Sequence, residues 1–147
     1  MHVLKFGGTS VANAENIKKV VEILQQSLVK NKSFVVVSAL NGITDLLIET
    51  AHHASTQNDL YKGHLKSIEE KHLQAVKELI PIQNQSSILS QVMKMCNELE
   101  SLCDGIYLLG ELSPRAKDRI IGYGELLSSL IISSKFFEVA AIILILA

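Results

Sequence analysis

A cation, two glycines and two hydroxyl groups stand together near the start of the chain, in the segment KFGGTS. These residues are Lys5, Gly7, Gly8, Thr9 and Ser10. An ammonium in a buried strand costs free energy unless an anion meets it. Glycines expose backbone N–H groups, and the N-terminus of a following helix adds partial positive charge. The segment therefore predicts an anion site, with phosphate as the leading ligand. The alternative is a surface turn beside a lysine that reaches into solvent.

A second candidate segment is SALNGITD, from Ser38 to Asp45. Ser38 ends an apolar run, and Thr44 stands at the start of the next helical pattern. In open parallel sheets, ligands bind at the carboxyl ends of the strands. Both residues are therefore candidates for ligand contacts at the same edge as Lys5. The alternative is a helix cap in which Asn41 or Thr44 makes only local hydrogen bonds.

The third candidate segment is GYGELLS, from Gly122 to Ser128. A carboxylate at Glu125, on a helix rich in apolar residues, needs a partner such as a substrate ammonium. Gly122 and Gly124 interrupt the same helical pattern, and each costs ~1 kcal/mol against alanine. Such a cost indicates a close backbone approach, either to another element or to a ligand. The alternative for Glu125 is a solvated helix face.

The elements that must position these segments follow a strand–helix–strand–helix order. HVLKF reads as the first strand, and apolar residues at helical spacing follow, with Ser10 or Asn13 as a possible cap. The continuous apolar run from Phe34 to Leu40 predicts a parallel strand buried on both faces. A second helix begins at Ile43. This order predicts a parallel sheet flanked by helices, which is an α/β fold.

The middle of the chain predicts an antiparallel helical hairpin. Apolar residues recur at helical spacing from Tyr61 to Leu79 and again from Ile88 to Ile106. The join is expected at Pro81 and the polar residues 83–87. Ser113 and Pro114 then have the residue types of an N-cap and a first helical position. The last ten residues, EVAAIILILA, read as a third buried strand, which suggests a fragment of a longer protein.

Composition limits the class of protein. The chain has 147 residues, 48% of them hydrophobic, and a formal net charge of -1, which disfavours a nucleic-acid surface. The longest apolar run is far short of the ~20 residues that span a bilayer as a helix. Cys96 and Cys103 lie about 10 Å apart on a helix, too far for a disulfide, and are expected to be reduced core thiols. The histidines have no metal-ligand spacing.

Together, the segments KFGGTSV, SALNGITD and GYGELLS closely resemble, in order and spacing, the N-terminal part of aspartokinases. The resemblance runs from the first strand to about Phe137. It implies an amino-acid kinase fold (carbamate kinase-like), of which residues 1–147 would be the N-terminal portion of the catalytic domain. The nucleotide-binding half and the regulatory ACT domains of that family would lie beyond this chain.

The resemblance also implies a reaction and a role for each site residue. ATP and L-aspartate would give 4-phospho-L-aspartate and ADP with Mg²⁺, the first step of lysine, threonine and methionine biosynthesis. Lys5 would stabilise the transferring phosphate, with the following loop beside it. Ser38 would lie where aspartate and phosphate meet, Thr44 would contact the substrate carboxylate, and Glu125 would hold its ammonium. The loop residues assigned to phosphate are Gly7, Gly8, Thr9 and Ser10.

The whole enzyme is expected to be cytoplasmic and homo-oligomeric, with no nucleic-acid or membrane partner and no protein-bound metal site in this chain. It could be fused to homoserine dehydrogenase. This chain alone is expected to bind ATP weakly or not at all. Two alternatives stay open: another amino-acid kinase, such as an acetylglutamate or uridylate kinase, and a non-catalytic fragment that self-associates through an exposed apolar strand. Solvated salt bridges are expected among Arg115, Lys117, Asp118 and Arg119.

Overall fold

The computed structural model describes residues 2–30 and 33–137 of the chain. Its elements, in chain order, are β1 (His2–Phe6), α1 (Ala14–Lys30), β2 (Ser33–Val37), α2 (Ile43–Ser55), α3 (Leu60–Leu79), α4 (Ile82–Leu109) and α5 (Pro114–Phe137). The predicted strand–helix–strand–helix order is confirmed. The third strand predicted for residues 138–147 lies outside the described residues.

The two strands form a parallel pair, as predicted. Lys5 lies opposite Val36, and Phe6 lies opposite Val37. The backbone N–H of Ser38 continues the ladder by donating to the carbonyl of Phe6 at 3.0 Å. Because the strands are parallel, their carboxyl ends lie at the same edge, and the segments that follow Phe6 and Val37 start side by side.

The strands are less buried than the sequence predicted. Side chains alternate between the two faces of a strand, and only the face that carries Leu4 and Val35 packs against the helical core. On the opposite face, Lys5 is exposed and Val36 is half-buried. The expectations of a buried strand around Lys5, and of a second strand buried on both faces, were therefore wrong. Within the described residues, one face of the sheet stays open, and it presents the lysine.

α3 and α4 form the predicted antiparallel hairpin. The Tyr61 hydroxyl at the start of α3 donates to Asp104 near the end of α4, at 2.6 Å. The predicted polar linker at residues 83–87 was wrong, since α4 already begins at Ile82. Only Ile80 and Pro81 separate the two helices, and the Gln85 side chain folds back to donate a hydrogen bond to the Ile80 carbonyl at 2.8 Å. That contact satisfies a carbonyl at the end of α3, so the polar residues are compatible with helix.

α5 packs against α2 and α4 and closes the core. Its start has the predicted cap, because the Ser113 hydroxyl accepts from the Ala116 N–H at 3.1 Å. α1 is capped by Asn13, whose side-chain oxygen accepts from the Asn16 N–H at 2.9 Å. None of the helices in the described ranges has the length and apolarity needed to cross a membrane.

Candidate functional site

A cleft of about 490 Å³ lies between the carboxyl end of the sheet and one face of α5. The sheet contributes Lys5 and Val36 from its open face, with Val37 and Ser38 at the end of β2. The helix contributes Asp118, Ile121, Gly122 and Glu125. Three site residues predicted from separate segments, Lys5, Ser38 and Glu125, therefore line one cleft.

The charged side chains of the cleft are free of protein partners in the part of the chain that the structure describes. Within residues 2–30 and 33–137, ion pairs join only Lys19 to Glu15, Lys62 to Asp59 and Lys66 to Glu70. None of these residues lies in the cleft. One ammonium and two carboxylates are therefore left to interact with solvent or with a ligand that carries both signs of charge.

The loop after β1 turns tightly without using the left-handed region. The carbonyl of Gly7 accepts from the N–H of Ser10 at 2.9 Å and from that of Val11 at 3.3 Å. The amides of Gly8 and Thr9 take no part in these two bonds. A Cβ on Gly7 would meet no atom within 4 Å, and neither Gly7 nor Gly8 has a positive φ. Glycine is thus not demanded by the turn, and its effect is to leave the backbone bare.

Gly8 connects this loop to the second segment. A Cβ on Gly8 would stand 3.6 Å from the Ala39 carbonyl oxygen and 3.9 Å from the Ser38 hydroxyl oxygen. These are ordinary van der Waals distances, so the loop lies directly against the two residues that follow β2. The phosphate loop predicted from the first segment is therefore a neighbour of Ser38, although only Lys5 of that segment lines the cleft.

Besides Gly7 and Gly8, three more predicted site residues lie away from the cleft lining. Thr9 is exposed, and its carbonyl accepts from the Asn16 side chain at 3.0 Å. Ser10 lines a separate depression beside α1. Thr44 is half-buried in the first turn of α2, where Gly42 occupies the cap position. The structure thus groups Lys5 with residues outside its own segment more closely than with Thr9 or Ser10.

α5 is fixed to the end of β2 by a hydrogen bond and by a close backbone approach. The buried Ser128 hydroxyl donates to the Ser38 carbonyl at 2.7 Å. A Cβ on Gly124 would fall 2.8 Å from the Ala39 Cβ, closer than real Cβ atoms come, and 3.2 Å from the Leu47 Cδ1, which is a tight contact. Close approach to another element of the fold therefore explains the glycine at position 124. These contacts hold Glu125 at a set distance from Ser38.

Gly122 instead fits the second explanation of the helical glycines, a close backbone approach to a ligand. A Cβ on Gly122 would meet no atom within 4 Å, and the residue lines the cleft. Its cost to the helix, about 1 kcal/mol against alanine, is therefore not explained by packing within the described residues. Between these two glycines, Tyr123 points toward α4, where its hydroxyl lies 3.5 Å from a Glu98 carboxylate oxygen. Burial raises the pKa of Tyr123, Glu98 adds to the rise, and Arg119 opposes it.

Asp118 is the charged residue of the cleft lining that the sequence analysis missed. It was assigned to a solvated charge cluster, but no ion pair joins the members of that cluster within the described ranges. Asp118 lies seven residues before Glu125, a spacing that puts both on one helix face. That spacing was the available signal. The salt bridges expected around Asp118 were wrong, because its helix face looks into the cleft.

Other chemically suggestive residues serve the core. Cys96 and Cys103 are free and buried, as predicted, and burial raises the pKa of each thiol to about 12. His72 is fully buried, and burial lowers its pKa to about 4. The described residues contain no group of three or more side chains that could hold a metal ion.

A larger depression, of about 830 Å³, runs along α4 between Ser86 and Ser101. Its described lining comes from that one helix and includes Met93, Lys94 and Glu98. It gathers none of the segments singled out in the sequence. We therefore place the candidate site in the smaller cleft, where side chains from three segments converge.

Comparison with known proteins identifies the family. A model described as "Amino acid kinase family" matches residues 1–141. The chain belongs to the amino acid kinase family. Within the family, it is 34% identical over 127 residues to bifunctional aspartokinase/homoserine dehydrogenase 1 of Arabidopsis thaliana, covering 86% of this chain and 14% of that protein. It is 36% identical to the aspartokinase of Chlamydia trachomatis serovar D over 136 residues, 90% of this chain and 27% of that protein.

A solved aspartokinase structure is also similar to this chain. The crystal structure of E. coli aspartokinase III in complex with aspartate and ADP matches with a TM-score of 0.79 and 26% identity, over 94% of this chain and 29% of that one. The predicted amino-acid kinase fold, and the predicted resemblance to aspartokinases, are confirmed. The chain spans between about a seventh and three-tenths of the length of these relatives.

Proposed function

We propose that this amino acid kinase chain carries the aspartate-binding side of an aspartate kinase site. The observation that carries the proposal is the convergence of Lys5, Ser38 and Glu125 on one cleft. An amino-acid substrate has an ammonium for a carboxylate to hold, and its transferred phosphate needs a cation. The cleft offers one lysine and two carboxylates that make no ion pair elsewhere in the described residues.

The reaction needs positioning and charge stabilisation more than a protein nucleophile. A side-chain carboxylate oxygen of L-aspartate attacks the γ-phosphorus of ATP; the new O–P bond forms as the bond to the β,γ-bridging oxygen breaks, and ADP leaves. Lys5 stabilises the negative charge on the transferring group. Glu125 holds the substrate ammonium, and Ser38 lies where the carboxylate meets the phosphate. Bare amides at Gly7 and Gly8 approach that phosphate, and Thr44 contacts the substrate carboxylate.

Mg²⁺ is expected to enter with the nucleotide. The ion keeps several waters and is usually bound by one or two carboxylates together with substrate phosphates. Asp118 is a cleft carboxylate of the right kind that is not assigned to the substrate ammonium, and the described residues contain no group of three or more side chains that could hold a metal ion. The charge that the ion supplies on the phosphates would complement that of Lys5.

Both single-function and bifunctional aspartokinases are similar to this chain, so the kinase is the activity they share.

The test is aspartate-dependent release of ADP by the longest natural polypeptide that contains this chain, with acetylglutamate and UMP as competing substrates. Lys5→Met should lower kcat about 100-fold or more, because it removes charge stabilisation of the transition state. Glu125→Gln should instead raise KM for L-aspartate about 10-fold or more, through loss of a charge-assisted hydrogen bond.

The matched control is Lys77→Met, which removes an exposed ammonium on α3, away from the cleft. It should leave kcat and KM within twofold of the wild type. Turnover of acetylglutamate or UMP in place of L-aspartate would overturn the substrate assignment. An unchanged kcat in the Lys5 variant would overturn the role given to that lysine. The cytoplasmic location and homo-oligomeric state of the whole enzyme remain predictions.

A further inference from the structure

One face of α5 forms a wall of the cleft. Asp118, Ile121, Gly122 and Glu125 all line it. Their spacing of three, four and seven residues is that of a single helical stripe. Gly122 stands in the middle of this stripe, with a carboxylate about one turn away on either side. A side chain at position 122 would therefore project into the cleft between two charged residues.

The fold has no need of a glycine at this position within the described residues. A Cβ at position 122 would meet nothing within 4 Å, and the residue has no positive φ. Gly124, on the other side of the same helix, has the opposite character, since its Cβ would overlap Ala39. Glycine is the poorest helix former apart from proline. Close packing therefore explains why the fold accepts the helix cost of glycine at position 124. No such packing offsets the same cost at position 122.

The direction of the Glu125 side chain connects this space to the substrate. Side chains of an α-helix lean toward its N-terminus, so a residue covers the surface over the preceding turn. For Glu125, the preceding turn contains Gly122. An ammonium held by the Glu125 carboxylate would then rest against the bare backbone of Gly122, where a methyl group would compete for the same volume.

We infer that Gly122 is a specificity-determining residue whose missing side chain makes room for the amino-acid substrate beside Glu125. The inference rests on the proposed function, because it takes the substrate ammonium to be held by Glu125. Gly122 acts by leaving space, and it neither binds the phosphate nor contributes charge. A side chain here should therefore affect the amino acid and leave the nucleotide and the fold alone.

The experiment uses Gly122→Ala and Gly122→Leu in the longest natural polypeptide that contains this chain. Aspartate kinetics, ATP kinetics and thermal unfolding are measured for each. Gly122→Ala should raise KM for L-aspartate about 5-fold or more, and Gly122→Leu should raise it further. KM for ATP should stay within twofold. The Tm should rise by about 0.5–1 °C for the alanine variant, because alanine replaces glycine in a helix at a site with free space and the unfolding entropy of a longer polypeptide is larger.

The matched control is Gly63→Ala on α3, where a Cβ also meets nothing within 4 Å. It should raise Tm by a similar amount and leave KM for L-aspartate unchanged. If Gly122→Ala raises Tm but leaves KM for L-aspartate within twofold, the inference is overturned. A fall in Tm for Gly122→Ala would overturn it as well, since the space would not be open.

A third variant separates this inference from the function on which it rests. Glu125→Gln with a raised KM, beside a silent Gly122→Ala, would keep the proposed function and refute the role of Gly122. Absence of aspartate-dependent ADP release from the wild type would refute the proposed function itself, and the inference would fall with it.

Discussion

Adding one methyl group at Gly124 should destabilise the protein, although alanine is the better helix former. The new Cβ would lie 2.8 Å from the Ala39 Cβ. Carbon atoms in good contact are separated by ~3.5–4.0 Å, so the overlap is about 0.7 Å or more. The Ala39 methyl has no rotatable bond with which to move away, so the backbone of α5 or of the segment after β2 must shift.

The expected magnitude follows from two opposing effects. Overpacking a close contact costs about 1–3 kcal/mol. Replacing a helical glycine with alanine returns up to about 1 kcal/mol. The net loss in the free energy of unfolding should be about 1 kcal/mol, within a range of about 0–2 kcal/mol. A loss of about 1 kcal/mol lowers Tm by about 2–4 °C for a chain of this size. Thermal unfolding followed by circular dichroism measures it directly.

A double-mutant cycle with Ala39→Gly identifies the cause. Ala39→Gly removes the methyl that the new Cβ would strike, so Gly124→Ala should cost less, or even stabilise, in that background. The coupling free energy between the two positions should be about 1 kcal/mol or more. Additive effects would show that the close approach is not what makes glycine necessary. A Gly124→Ala variant at least as stable as the wild type would refute the packing argument outright.

Two further predictions concern buried polar groups. Ser128→Ala should lower the free energy of unfolding, measured by urea titration, by about 1–2 kcal/mol, because the Ser38 carbonyl loses its hydroxyl donor. The control Ser67→Ala removes an exposed hydrogen bond from a hydroxyl to a carbonyl within α3, and it should change the free energy of unfolding by less than about 0.5 kcal/mol. His72 has a pKa lowered from 6.5 to about 4, so the unfolded chain binds a proton that the folded chain refuses, and stability should fall as pH drops from 6.5 toward 4 by up to about 3 kcal/mol. His72→Leu should remove that part of the pH dependence, and parallel pH profiles for variant and wild type would contradict the assignment.

The sequence predicted the strand that carries Lys5 better than the exposure of its side chain. Short-range pattern gave the strand, the loop and the parallel pairing, because these depend on local residue types. The exposure of Lys5 depends on which face of the sheet other elements cover. That is a long-range property, and alternation along β1 fixes only that Lys5 and Leu4 point to opposite faces.

The two errors on α4 and α5 both concern polar residues. The polar residues 83–87 were taken for a linker because polar character was equated with a loop. Asp118 is exposed, as expected, but it was assigned to salt bridges with its neighbours and its place in the cleft was not recognised. In the structure, Gln85 caps the end of α3, and Asp118 faces a cleft. Composition cannot show which polar residues share a face of a helix, whereas helical phase can, as the spacing from Asp118 to Glu125 shows.

Helical phase also explains how one segment of α5 both packs against the core and lines the cleft. Successive residues of an α-helix are turned by about 100°, because a turn holds 3.6 residues. Gly122 and Gly124 are thus about 160° apart around the helix, and they face the cleft and the end of β2 respectively. Glu125 falls about 60° from Gly122 and about 100° from Gly124, on the cleft side. Close packing at Gly124 therefore sets how near the carboxylate comes to Ser38, while the bare backbone at Gly122 keeps the space in front of it open. Exchanging the residues at positions 122 and 124 for ones that need the opposite environments would require a different rotation of the helix about its axis, and Glu125 would then leave the cleft side.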